Sequence, residues 1–366
     1  MQKIGGAVED NKIIIWHEMD GAGDSSRVFI EKICQEINEK YGVEFDIKCM
    51  NISPYIERLK NLDKENEKPD VIFIPQDFVS VEEFNLAEVP SKYQNYMDRS
   101  IWDSMKYKGV QRGVPYARGN HAVLFYNKKY FKKAPENFEE IKNLNEILND
   151  KVNLFAIDLE VAYWLLPFIY TIGKNPIEES QFYISEENEK KVIDFFDELI
   201  KKRSLCSCEA ISTMLEDFLE GKIASMINGE WLYEYLLKEM GDDLGVAELP
   251  QPGNRSMIGV KTSVGIAFPW DSVNGRKSKA IDIFIRYMLS EDVQRRWFTE
   301  YHRFPVNNVI SRELETKDLD ENMKASLRQM QKNVFLKNDP CIKDMWTGVD
   351  KILAKIRKIY EQGVKS

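Results

Sequence analysis

GKIASMINGEWLYEY, Gly221–Tyr235, is the stretch whose reading decides the fold. Ile223 to Ile227 form a short apolar run that predicts a strand, Asn228-Gly229 stops it, and a helix restarts with Trp231 in its first turn. A large ring set beside a polar turn is poorly placed for full burial. Its position therefore asks for a partner outside the core.

Working outward, the same strand-turn-helix grammar recurs. IIIW (Ile13–Trp16) predicts a strand. A helix carrying Val28, Ile30, Ile33, Cys34 and Ile37 on one stripe follows, with Gly42 past its end. VEFDIKCM is a second strand, a helix runs from Ser53 to Leu62, and PDVIFI (Pro69–Ile74) reads as a buried parallel strand. This βαβαβ opening implies an α/β fold with a parallel sheet and right-handed crossovers. AVLFYN, LGVAEL and SVGIAF add strands. Helices are expected near 137–149, 188–203, 212–220, 276–289, 291–300, 321–332 and 343–361. No Pro/Ser-rich linker appears, so two domains would be joined by strands that cross between them.

The chain has 366 residues, is 43% hydrophobic and carries a formal net charge of -9. Its length suits two domains, and its acidity argues against nucleic acid or an anionic membrane as partner. The longest apolar stretch, YWLLPFIYTI (Tyr163–Ile172), is half of the ~20 residues a span needs and contains Pro167, so no membrane insertion is expected. The first residues lack the apolar core of a signal peptide. Five cysteines cannot close a complete disulfide framework, and they form no zinc-ligand pattern.

Catalytic signatures are absent from the sequence. HEMDG starts like a zinc-protease helix but lacks the second histidine. GAGDSS follows a strand yet lacks the third glycine of a dinucleotide fingerprint. Neither a nucleophile elbow nor a phosphate loop occurs. No cofactor and no metal are expected.

Position within the fold stands out instead. Ligands of open α/β sheets sit beyond the carboxyl ends of parallel strands. Asp20 follows the first strand, and Gln76 and Asp77 follow PDVIFI. Tyr163 and Trp164 follow NLFAID, Trp231 follows IASMI, and Trp346 begins the last helix. Each aromatic could equally be a core ring with one polar edge, and Asp20 and Asp77 could be helix caps. Flat rings with carboxylates and amides suit a neutral polyhydroxylated ligand, which stacks its C–H face and exchanges hydroxyl hydrogen bonds.

The order of segments resembles the family 1 extracellular solute-binding proteins, the carbohydrate-binding components of ABC importers. WDSMKYKGVQRGVPYARGNHAVLFYNKKYF (102–131), APENFEEI (134–141), FLEGKIASMINGEWLYEYL (218–236), LGVAELPQPG, SVGIAF, YMLSEDVQ (287–294) and FPVNNVI (304–310) follow in the family's order. The resemblance implies a type II periplasmic-binding fold of two α/β lobes with a ligand cleft between them. It places residues 1–116 and 264–315 in one lobe and 117–263 and 316–366 in the other. It implies sugar stacking on Trp231, Tyr163 and Trp346, with Asp20, Gln76, Asp77, Asn120 and Trp164 completing the ligand set. Two departures leave room for another sugar, acidic or modified. Ile74 stands where maltose-binding members carry tryptophan, and ARGNHA (117–122) holds Arg118, Asn120 and His121 in place of a glutamate.

The function so implied is hinge closure on a carbohydrate, most naturally an oligosaccharide, followed by docking on ABC permease transmembrane subunits. The protein is expected to act as a monomer outside the cytoplasm, with a leader absent from this sequence; a cytoplasmic relative stays open. A sensory module of the same fold is the competing reading, and a carbohydrate-active or NAD-dependent enzyme the third.

Overall fold

The computed structural model describes residues 11–18, 26–144, 152–173, 175–178, 181–207, 211–336 and 338–364. It divides into two compact units. One comprises the chain up to Arg118 with Ser263–Thr316, the other Gly119–Thr262 with Lys317 onward. The chain passes between units after Arg118, Thr262 and Thr316.

In the first unit, six strands lie in the order Phe304–Pro305, Gly113–Gly119, Val260–Ala267, Val71–Pro75, Lys12–His17 and Glu44–Cys49. Lys12–His17 pairs in parallel with both of its neighbours, as the βαβαβ opening requires. Val71–Pro75 pairs antiparallel with Val260–Ala267. Successive side chains on a strand point to opposite faces, and here both faces are covered. Ile13, Ile15, Val71 and Phe73 share one core with Phe29, Phe284 and Trp297, from helices Ser26–Tyr41, Ser278–Met288 and Glu291–Tyr301. Trp16, Ile72 and Ile74 point the other way, into a core with Tyr55, Leu59, Phe84 and Met105.

This alternation buries two residues completely. The first strand runs on to His17, one residue past its expected end; Trp16 has no solvent exposure, and the Arg58 guanidinium lies 4.4 Å from its ring centroid. Ile74 is likewise fully buried. It fills core rather than presenting a ring.

In the second unit, five strands lie in the order Leu205–Cys206, Phe155–Ala156, Ser225–Gly229, Ala122–Asn127 and Leu244–Ala247. The first three run parallel, while Ala122–Asn127 is antiparallel to both of its neighbours. Helices Leu166–Ile172, Glu186–Lys201 and Ile342–Val364 bury Phe168, Ile169, Phe196, Val349 and Ile352 in one core with the strands. Pro167 does not interrupt the apolar stretch Tyr163–Ile172. It sits in the first turn of its helix, where the missing N–H has no partner to lose. The helix expected near 137–149 begins at Phe138, capped by the Asn137 side chain, which accepts from the Glu140 N–H. Its described part ends at Asn143; residues 145–150 lie outside the described set.

Trp297 is fully buried in the first unit, with its ring centroid 4.6 Å from that of Phe29 and 5.7 Å from that of Tyr116. Trp297→Ala is expected to cost about 3–5 kcal/mol of that unit's stability, measured by urea unfolding, because packed rings on two sides cannot collapse around the void.

Candidate functional site

Three strand ends meet along one edge of the second unit's sheet. Met226 pairs in parallel with Ala156, and Gly229 pairs with Ala122. The turn after Ala156, the turn after Gly229 and the residues ahead of Ala122 are therefore neighbours. Tyr163, Trp164, Trp231 and Asn120 all stand on these segments.

The rings form a contiguous group. Tyr163 meets Trp164 edge-on, with centroids 5.1 Å apart. Trp231 is 5.9 Å from Trp164 and 6.5 Å from Tyr163. Trp164 is buried, whereas Tyr163 and Trp231 are half-buried and keep part of their surface open. Trp346, also half-buried, stands near the start of helix Ile342–Val364 and packs on the same core. Trp164 thus backs a wall whose accessible rings are Tyr163 and Trp231.

Gly229 answers the question posed by the opening motif. A Cβ at this position would lie 2.2 Å from carbons of the Trp231 indole. The backbone φ of −75° suits any residue, so the ring's proximity is what excludes a side chain. Trp231 folds back over the end of its own strand.

Polar groups fix the wall. Asn120 adopts a left-handed backbone with φ of 33°, which asparagine tolerates better than most residues. Its N–H donates to the Glu230 carboxylate at 3.0 Å, and its carbonyl accepts from the Tyr163 hydroxyl at 2.8 Å. Its side-chain amide donates to Thr262 Oγ1 at 2.6 Å. The Glu230 N–H donates to the His121 carbonyl at 3.0 Å. Glu230 itself is buried, and it immediately precedes the tryptophan.

Asp158 lies at the same edge. Burial raises its carboxyl above the ordinary range, opposed by hydrogen bonds from the Glu160 N–H at 2.7 Å and from the Trp164 side chain. Sequence reasoning missed both acids. Asp158 closes NLFAID, so the strand-end rule that selected Tyr163 could have found it. Glu230 sits inside the opening motif and was overshadowed by its neighbour.

In the first unit, Gln76 and Asp77 follow Val71–Pro75 in the short turn Gln76–Ser80. Gln76 is buried, and its Oε1 accepts from the Ser263 N–H at 2.7 Å, lacing two strands together. Asp77 is half-buried, and burial pushes its carboxyl up to about 6. Asp20 lies outside the described residues. Among the described residues, no group of histidine, cysteine and carboxylate side chains could hold a metal ion, and no helix is long and apolar enough to cross a membrane. Flat rings edged by carboxylates are suited to holding a polyhydroxylated ring by stacking and hydroxyl hydrogen bonds.

Residues 32–325 match the family model described as bacterial extracellular solute-binding protein. A maltooligosaccharide ABC transporter solute-binding lipoprotein of Streptococcus pneumoniae is 21% identical over 337 residues, covering 87% of this chain and 78% of its own. A maltodextrin-binding protein of Bacillus subtilis is 20% identical over 356 residues, covering 90% and 82%. A galactooligosaccharide-binding protein of the same organism is 24% identical over 344 residues, covering 86% and 79%.

Two measurements probe this arrangement. Gly229→Ala should displace Trp231, change the near-ultraviolet circular dichroism of the indole pair and cost about 1–3 kcal/mol of stability. Asp77 has a folded-state value above its unfolded one, so its contribution is fully present below about pH 4 and lost as pH rises through about 6. Asp77→Asn should therefore be the more stable form at pH 8, by about 2 kcal/mol, and match the unsubstituted protein at pH 4 in urea unfolding.

Proposed function

Because the chain belongs to the bacterial extracellular solute-binding protein family, we propose that it is the binding component of an ABC importer and takes a carbohydrate of oligosaccharide size. The observation that carries this reading is the wall of Tyr163 and Trp231, backed by Trp164 and held at the carboxyl ends of parallel strands, with Trp346 packed on the same core. Relatives named for maltooligosaccharide, maltodextrin and galactooligosaccharide support the ligand class.

The family is one of binding proteins, and a binding protein needs only differential affinity between two states. A sugar stacked on the wall would favour the form of the protein that binds it better by that difference. The sugar-bound monomer would then dock on permease subunits outside the cytoplasm. Stacking on two or three rings, with desolvated hydroxyl hydrogen bonds, gives micromolar affinity, about -8 kcal/mol.

Calorimetry against maltooligosaccharides and galactooligosaccharides tests the reading directly. Micromolar binding by at least one series is expected. Trp231→Ala should remove the ligand-induced rise in melting temperature while changing ligand-free stability little. No heat from any sugar on folded protein would overturn the proposal. So would a Trp231→Ala variant that binds normally but loses about 3–5 kcal/mol of stability, the behaviour of a core ring.

A further inference from the structure

We infer that Thr262 and Glu230 are positioning residues for the aromatic wall, acting through Asn120 rather than by touching the ligand. The inference rests on the carbohydrate reading and assigns Asn120 a different task from direct sugar contact. Three hydrogen-bonding groups of Asn120 are engaged within the second unit. The side-chain amide reaches Thr262 Oγ1 at 2.6 Å, the N–H reaches Glu230 at 3.0 Å, and the carbonyl holds the Tyr163 hydroxyl at 2.8 Å.

The bracket has a mechanical consequence. Asn120 holds a φ of 33°, which costs energy for a residue with a Cβ and persists only where the surroundings impose it. The Glu230 carboxylate and the Thr262 hydroxyl impose it from two directions. With that backbone fixed, the Asn120 carbonyl fixes the Tyr163 hydroxyl, and the tyrosine ring is held edge-on against Trp164. Glu230 also immediately precedes Trp231 in the chain.

Placement along the chain adds to this. Asn120 comes just after the passage at Arg118–Gly119, and Thr262 is the last residue before the passage at Thr262–Ser263. The strands carrying those passages, Gly113–Gly119 and Val260–Ala267, are neighbours in one sheet. The bracket therefore anchors the wall to the strand-borne passages of the chain. Ring geometry and strand geometry cannot vary independently.

Thr262→Val keeps the shape and removes the acceptor, whereas Thr262→Ser keeps the acceptor. Two readouts are taken: maltotriose affinity by calorimetry, and acrylamide quenching, without ligand, of the fluorescence that Trp231→Phe removes. Thr262→Val is expected to weaken affinity about tenfold and to raise quenching, while Thr262→Ser recovers most of both. Tyr163→Phe cuts the bracket at its other end, should shift both readouts the same way, and decides the matter if Thr262→Val does not fold. Unchanged quenching in Thr262→Val or Tyr163→Phe overturns the inference, as does a Thr262→Ser variant impaired as much as Thr262→Val. Should the unsubstituted protein bind no sugar, the carbohydrate reading falls, and the quenching arm alone still judges the bracket.

Discussion

The arrangement depends on the pairing register of a single central strand. Ser225–Gly229 runs parallel to Phe155–Ala156 and antiparallel to Ala122–Asn127, with Met226 opposite Ala156 and Gly229 opposite Ala122. That register brings the ends of two strands and the start of a third to one edge. A slip of one residue would exchange the faces that Met226 and Ile227 occupy and carry Trp231 away from Tyr163. Register is strongly specified here because the whole strand is buried, so a slipped pairing would mismatch both faces at once.

Partly exposed rings are costly to leave at a surface, and the second unit limits the cost by sharing it. Trp164 is buried, with its side chain hydrogen-bonded to Asp158, and it presents ring surface to both Tyr163 and Trp231. The exposed part of the wall is thus an edge of the core rather than an isolated patch. Rigid rings with few rotatable bonds lose little conformational entropy when a ligand covers them. The Asn120 amide donates to Thr262 Oγ1, and the Tyr163 hydroxyl donates to the Asn120 carbonyl.

Much of the fold was legible in order and type. The parallel opening from Ile13 to Ile74 follows from apolar runs separated by one amphipathic helix and one shorter one, and both pairings are present. The terminal helices follow from their periodic stripes. The end of the first strand was less legible: the apolar run stops at Trp16, but pairing of His17 with Cys49 extends the strand one residue further. The helix Asn308–Thr316 begins inside a stretch read only as a family motif, where the Asn307 side chain accepts from the Val309 N–H. Local pattern cannot reveal the end of the first strand, because the partner that decides it is distant in the chain.

At the site, the sequence by itself determined that aromatic and acidic residues follow strands: a strand's end and the identity of the next residues are local facts. Trp231 after Asn228-Gly229 and Tyr163 after NLFAID needed no contact map. Tertiary structure alone decided that Trp164 is a backing ring, that Gly229 is a seat for an indole, and that Gln76 laces strands through Ser263. It alone decided the union of Asn120, Glu230, Tyr163 and Thr262, residues up to 142 positions apart. Hydrogen-bond partners at that separation are chosen by sheet register, a property of paired strands that no single strand's sequence contains.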